Sequence, residues 1–278
     1  MSLEVTLAVL GAALAHAVWN ALVKSSRNAL LDTALVAFFS SAVTAPFMLV
    51  VDAPAAAAWP CIAASVVLHI GYYTALAGAY RAGDLSHGYP IMRGVAPLIV
   101  SVCALAWLGE APAPAVWAGV LLICGGVLSL GLAGFHWAQS RVALRWALLN
   151  AVIIASYTLV DAAGVRAAGR TEAYVVWRGA LNAWPFLLIV LWWQRGALLE
   201  HARASWPRAL AGGVLAACAY GVALWAMARA PVAAVAALRE TSVIFAALIG
   251  AWLLKEGHIA RRVGGAAVVA AGIIALKL

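Results

Sequence analysis

Runs of about twenty apolar residues, joined only by short polar segments, dictate what this chain can fold into. Ten such runs are read from the sequence: 3–23, 33–51, 59–80, 86–108, 115–133, 143–162, 172–193, 207–228, 232–253 and 260–277. A run of that length crosses a bilayer as a helix, because only a helix satisfies every backbone amide within its own segment. The longest joints, 134–142 and 194–206, leave no room for a soluble domain. Charged residues make up 10% of the chain; a soluble domain carries about 25%. Mean hydropathy is +0.99, so the expected surroundings are a lipid bilayer and not water.

The net charge of +8 is not a nucleic-acid signal, since most Lys and Arg lie in the joints, where they orient helices. The first run carries Ala15-His16-Ala17, which looks like a leader cleavage site, but no basic residue precedes it and nine more runs follow. It is read as a helix. Cys61, Cys103, Cys124 and Cys218 form no CxxC or Cys/His pair and are read as packing residues, so no metal or cofactor is expected. Most of the 13 tryptophans fall near run ends, as in an interfacial belt; Trp19, Trp177 and Trp225 fall deeper.

The chain also repeats. Leu108-Gly109-Glu110 and Leu254-Lys255-Glu256 lie 146 residues apart, and the same offset sets Arg93 on Arg239 and Gly119 on Gly265. An offset of 148 sets Tyr72 on Tyr220, Leu76 on Leu224 and Arg81 on Arg229, and one of 139 sets Pro46 on Pro185. The reading is an all-α integral membrane protein of ten transmembrane helices in two five-helix repeats, 1–136 and 137–278. An odd number of crossings per repeat inverts the second against the first. Many secondary transporters use such halves, with substrate near the midplane where they meet.

These features resemble the drug/metabolite transporter superfamily, in particular its EamA-type ten-helix members, and within them the YddG-type amino-acid exporters. The resemblance covers essentially the whole chain. It rests on the two five-helix halves, the polar end of the first run (His16-Ala-Val-Trp-Asn20), and the Arg81-Ala-Gly-Asp84 turn with Pro90 and Pro97 after it. It rests further on the Leu-Gly-Glu110 and Leu-Lys-Glu256 closures and the glycine-rich fifth run of each half (Gly119, Gly125, Gly126; Gly264, Gly265, Gly272). It implies export of small metabolites by alternating access around a central cavity. Family members often carry an arginine in the second helix; here the offset of 139 places Phe39 opposite Arg178, so only the second half has one.

Ionisable side chains inside apolar runs cost about 2.5–3.5 kcal/mol each on insertion scales and so mark function or pairing. They are His16, His69, Arg93, Asp161, Arg178, Arg239 and Glu240. His16, Trp19 and Asn20 share one helical face, as do His69, Tyr72, Tyr73, Leu76 and Tyr80. Tyr89 and Arg93 are one turn apart, as are Tyr157 and Asp161; Trp177 and Arg178 adjoin, and later runs offer Tyr220, Trp225, Arg239 and Glu240. Convergence of these faces makes an aromatic-walled, arginine-lined cavity. It suits a zwitterion, whose carboxylate takes an arginine and whose ammonium takes aromatic faces or Glu240. The bland reading gives His69 a helix–helix hydrogen bond, solvates Tyr80 and Asp161 near an interface, and ion-pairs Arg178 with Glu240. Glu240 and Asp161 are the candidates for proton coupling. Pro90 and Pro97 are expected to kink the fourth run, whereas the ninth has no interior proline.

Alternate joints hold eleven Lys and Arg (Lys24, Arg27, Arg81, Arg141, Arg145, Arg195, Arg203, Arg208, Lys255, Arg261, Arg262) against four (Arg166, Arg170, Arg229, Lys277). This puts both termini outside the cytoplasm of a bacterial-type inner membrane, although family members usually read the other way. The leading expectation is a secondary transporter, sufficient as a monomer, exporting small metabolites, chiefly amino acids. The alternatives are a flippase or exporter for lipid-linked or other amphipathic solutes and, more distantly, an intramembrane enzyme. The chain carries no HExxH, GxGD or GxxxxGK[ST] motif, which argues against that enzyme and against direct ATP drive.

Overall fold

The apolar runs do form helices, and the departures from the expected boundaries have local causes. The computed structural model describes residues 1–24, 28–82, 85–132, 141–254 and 259–277. Its helices are α1 (Leu3–Lys24), α2 (Ala29–Thr44), α3 (Trp59–Ala82), α4 (Leu85–Trp107), α5 (Pro114–Leu132), α6 (Arg141–Ala167), α7 (Thr171–Leu181), α8 (Trp184–Met227), α9 (Val232–Arg239), α10 (Thr241–Leu254) and α11 (Ile259–Ala275). No strand occurs among the described residues. The expected boundary at 136/137, Asp84 and the Lys255-Glu256 closure lie outside them, as do the side chains of Tyr80 and Arg81.

Among the described residues eight stretches are long and apolar enough to cross a membrane; the seventh, Thr171–Met227, spans 57 residues, and a shorter apolar helix, Gly264–Ala275, follows the eighth. One crossing needs about twenty residues.

The second run starts earlier than its hydropathy suggests because Asn28 caps it: Oδ1 accepts the Leu31 amide at 3.2 Å. It also ends earlier, where Pro46 opens a 3-10 turn at Ala45–Leu49. The seventh run is broken. Pro185 has no amide for the Leu181 carbonyl, and α7 stops at Leu181. Ser41 of α2 fills the gap, donating to the Gly179 carbonyl (2.7 Å) and accepting the Ala183 amide (3.1 Å). The joint expected at 194–206 is helical too. α8 runs through it, with non-helical backbone at Gln194 (φ −137°, ψ 36°).

The ninth run breaks at Glu240, between α9 and α10. There the Glu240 amide reaches back only to Ala237, at 3.0 Å, and the Thr241 hydroxyl takes the Leu238 carbonyl at 2.8 Å. α4 runs unbroken through Pro90 and Pro97, whereas the proline-free run 232–253 is the interrupted one.

The helices interlock across the halves. α3 and α4 pack on α6, α1 packs on α8 and α10, α2 on α8, and α5 on α11. The α5–α11 contact is backbone-close. A Cβ on Gly119 would lie 2.9 Å from the Gly272 carbonyl, and one on Gly126 would lie 3.0 Å from the Gly265 carbonyl. Gly125 and Gly264 face open space, so four of the six glycines singled out in these helices make the contact and two do not.

One end of the bundle is stitched by polar contacts. Arg166, near the end of α6, ion-pairs with Glu110 of the α4–α5 connection and donates to the Met227 carbonyl (3.1 Å) at the end of α8. Glu110 also accepts the Val232 amide (2.9 Å), the first of α9. Beside it Ala55 donates to the Ala168 carbonyl at 3.1 Å and Arg170 pairs with Asp52 at 3.3 Å. Towards the other end buried Asp32 of α2 holds His201 and Arg208 of α8, each at 2.8 Å.

Gly272→Ala is expected to destabilise the purified protein by about 1–3 kcal/mol, since the new methyl meets backbone atoms that cannot yield cheaply. Gly125→Ala should stay within about 0.5 kcal/mol of the parent, as at any open surface position. Thermal unfolding in detergent compares them.

Candidate functional site

Charged side chains from both halves meet deep in the bundle, and each arrives there by helical spacing. On α6, Tyr157 and Asp161 sit one turn apart; on α7, Tyr174 and Arg178 do the same. Tyr174 donates to Asp161 Oδ1 at 2.8 Å, Tyr220 of α8 donates to Oδ2, and Arg178 Nη2 lies 3.4 Å from Oδ2. Asp161 is fully buried, not solvated near an interface, and both its oxygens are engaged. Gly164 makes room for this, because a Cβ there would lie 2.4 Å from the Tyr174 ring.

Arg178 is held from several sides as well. Its Nε donates to Ser65 Oγ at 3.2 Å and its Nη2 to His69 Nε2 at 2.7 Å. The Tyr220 ring lies under its guanidinium at 4.3 Å. His69 Nδ1 meets the Ser65 carbonyl at 2.8 Å, which assigns the ring proton to Nδ1 and leaves Nε2 to accept from Arg178. The bland reading of His69 is thus half right: it bonds within α3 and across to α7. Tyr157 packs on His69 at 4.3 Å, with Tyr72 and Tyr220 about it at 5.9 and 6.2 Å, and Tyr73 stacks on Phe186 at 4.5 Å.

A second ion pair differs in kind. Arg93 of α4 reaches Glu240 at the α9–α10 break, with Nε 2.7 Å from Oε2. The approach lies off the N–H axis, so neither atom has a hydrogen-bond partner although both are buried. Arg93 Nη2 makes a long contact, 3.4 Å, to Ser242 Oγ. The expected pairing of Arg178 with Glu240 is therefore corrected: each buried arginine of the two pairs has its own carboxylate, because α6 supplies Asp161 next to α7. Arg239 is the third buried guanidinium. It lies 5.1 Å from the Tyr220 ring, and no carboxylate pairs with it among the described residues. His16 and Tyr89 lie within electrostatic reach of both Arg93 and Arg239.

Other expected residues lie elsewhere. Trp177 turns away from Arg178, donates to the Val51 carbonyl at 3.2 Å and packs on Trp59, pinning the α2–α3 connection. Trp225 holds the Arg229 guanidinium at 4.6 Å at the end of α8. Helical rotation explains both, since residues adjacent in sequence point about 100° apart. Trp19 packs with α2 and α8 residues and donates to His16 Nδ1 at 3.2 Å, while Asn20 is spent on the His16 carbonyl at 2.8 Å. Sequence reasoning missed Tyr174 and Ser65. Tyr174 had a usable signal, one turn before Arg178; Ser65, one turn before His69, had the same.

A narrow cleft with room for about 40 Å³ reaches this network between α2, α7 and α8, lined among others by Ser40, Thr44, Arg178, Asn182 and Tyr220. The Asn182 Oδ1 atom there is buried without a hydrogen-bond partner.

Residues 141–278 match the EamA-like transporter family. A solved crystal structure with 19% sequence identity superposes over 99% of this chain and 98% of its own, with a TM-score of 0.78, so the fold is shared. It is among 28 chains of solved structures that match. No curated protein matches the sequence. The chain is therefore a multi-pass membrane transporter of small solutes, belonging to the drug/metabolite transporter superfamily through its EamA-like domain.

Proposed function

We propose that this protein is a secondary transporter that exports small zwitterionic metabolites, chiefly amino acids, by alternating access. The observation that carries the reading is the charge count of the buried cluster. Among the described residues it holds three guanidiniums, Arg93, Arg178 and Arg239, against two carboxylates, Asp161 and Glu240. One positive charge is left over, at Arg239, beside an aromatic wall. A solute carboxylate completes the balance, and the tyrosine faces of Tyr72, Tyr89, Tyr157 and Tyr220 suit its ammonium and side chain. An anionic lipid head would also satisfy Arg239, and the cleft beside α2 and α8 keeps that as the second reading.

The contact pattern supports ten crossings in two inverted halves. α1 lies on α8 as α6 lies on α3, α1 on α10 as α6 on α4, and α5 meets its counterpart α11. The backbone turn at Gln194 supports reading the 57-residue stretch as two crossings. Helix breaks at Asn182 and Glu240 border the charged cluster, as in transporters whose discontinuous helices meet at the midplane. Where proton coupling occurs, Glu240 is its better carrier, because both oxygens of Asp161 are already occupied. The charge count in the joints favours both termini outside the cytoplasm.

Counterflow of a labelled amino-acid panel in proteoliposomes tests the reading. Wild type should exchange some members, and Arg239→Ala should weaken their apparent affinity roughly ten- to hundredfold, the worth of one or two charge-assisted hydrogen bonds. Exchange of no amino acid by folded protein would move the assignment to amphipathic or phosphorylated solutes. Asp161→Asn should behave differently. It leaves Arg178 buried without a counter-charge, and we expect a loss of about 3–5 kcal/mol in stability, read as a lowered melting temperature that Arg239→Ala does not share.

A further inference from the structure

The two buried ion pairs are not equivalent, and their difference assigns them different work. Around Asp161 and Arg178 both carboxylate oxygens and the Arg178 Nε and Nη2 atoms have further partners, in tyrosine hydroxyls, Ser65 and His69. That pair is a fixed wall. Arg93 and Glu240 are as deeply buried, with side chains 3% and 4% exposed, yet the Arg93 Nε and Glu240 Oε2 atoms meet off the hydrogen-bond axis and neither has another partner. In a low-dielectric site an unaligned pair forfeits the directional part of its attraction while bearing the full cost of desolvation. A ligand that offers both charges, each aligned, replaces it at a gain.

Resting on the amino-acid reading above, we propose that the Arg93–Glu240 pair is an internal stand-in for the substrate, opened by exchange. The solute carboxylate takes the guanidinium of Arg93, together with that of Arg239, and the solute ammonium takes the Glu240 carboxylate. Placement supports the exchange. Arg93 belongs to α4 of the first half and Glu240 to the break between α9 and α10 of the second, so the pair is a strap between halves. The break leaves Glu240 outside regular helix, where the carboxylate can swing without unwinding α9 or α10. In the empty protein the two charges neutralise each other, and the cavity can close without solute. With solute present, each charge has a better aligned partner. Glu240 is then the specificity residue for the ammonium, and a solute with a carboxylate alone must displace Glu240 without rewarding it.

The probes are L-phenylalanine with 3-phenylpropanoate and 2-phenylethylamine, and L-leucine with 4-methylpentanoate. Each competes for counterflow of the best amino acid of the panel in proteoliposomes. Wild type should prefer each amino acid to its carboxylate-only analogue. Glu240→Gln should shrink that preference roughly ten- to hundredfold, and the carboxylate-only solutes should gain, because Arg93 is released. Arg93→Gln should show the mirror effect, with 2-phenylethylamine gaining. If either single variant fails to stay monodisperse in detergent, the other carries the test. Should both fail, Arg93→Gln/Glu240→Gln, which removes both charges together, should fold and show no preference. An unchanged preference in a folded variant, while wild type exchanges amino acids, overturns the exchange and leaves the transporter reading standing. Absence of amino-acid counterflow by wild type overturns both.

Discussion

A charge taken into a bilayer has to find its partner inside the protein. Water is not there to serve, and the desolvation cost is several kcal/mol per ion. The interior of this transporter is arranged by that requirement. Asp161 draws Tyr174, Tyr220 and Arg178 towards it, and thereby joins α6, α7 and α8 at one point. Arg178 in turn fixes His69 and Ser65 of α3. The small residue Gly164 is the steric condition for the whole arrangement, since nothing larger leaves space for the Tyr174 ring. Packing and electrostatics are here one constraint. The apolar helices supply the low dielectric that makes the ion pairs strong, and the ion pairs decide how the helices are rotated.

The sequence was most legible where the physics is periodic or additive. Apolar runs of about twenty residues are a sum over composition, and they mark the helices. The offsets that set Arg93 on Arg239 and Tyr72 on Tyr220 single out side chains that the fold brings close to one cluster. Less legible were the features decided by a partner from elsewhere in the chain. Serine 41 occupies the α7–α8 break, and no local pattern around Asn182 names it. Trp177 and Trp225 were chosen for depth, but one turns to the Val51 carbonyl and the other to Arg229, a matter of helical rotation and not of position along the run. Nor does proline content locate the break in the ninth run. Pro90 and Pro97 are accommodated within a continuous α4, while α9 ends at a glutamate whose carboxyl reaches Arg93.

The carbonyl contacts between α5 and α11 show a different use of sequence. Gly119, Gly126, Gly265 and Gly272 let two helices touch at backbone distance without a hydrophobic driving force between them. That contact joins the last helix of each half of the chain. The α2–α8 packing is as close, since a Cβ on Gly213 would lie 2.8 Å from the Ser40 amide nitrogen.

The shortness of α9 has a mechanical consequence. It is an eight-residue helix, Val232–Arg239, about 12 Å long at 1.5 Å per residue. Its first amide is fastened to Glu110 at the stitched end of the bundle, and the residue after its last is fastened to Arg93. A rod so short does not bend appreciably; it tilts or slides as a piece. Whatever loosens Glu240 therefore pulls on the amide at Val232, and whatever parts Glu110 from Arg166 is felt at Arg93. The helix is a strut between the stitched end of the bundle and the Arg93–Glu240 pair.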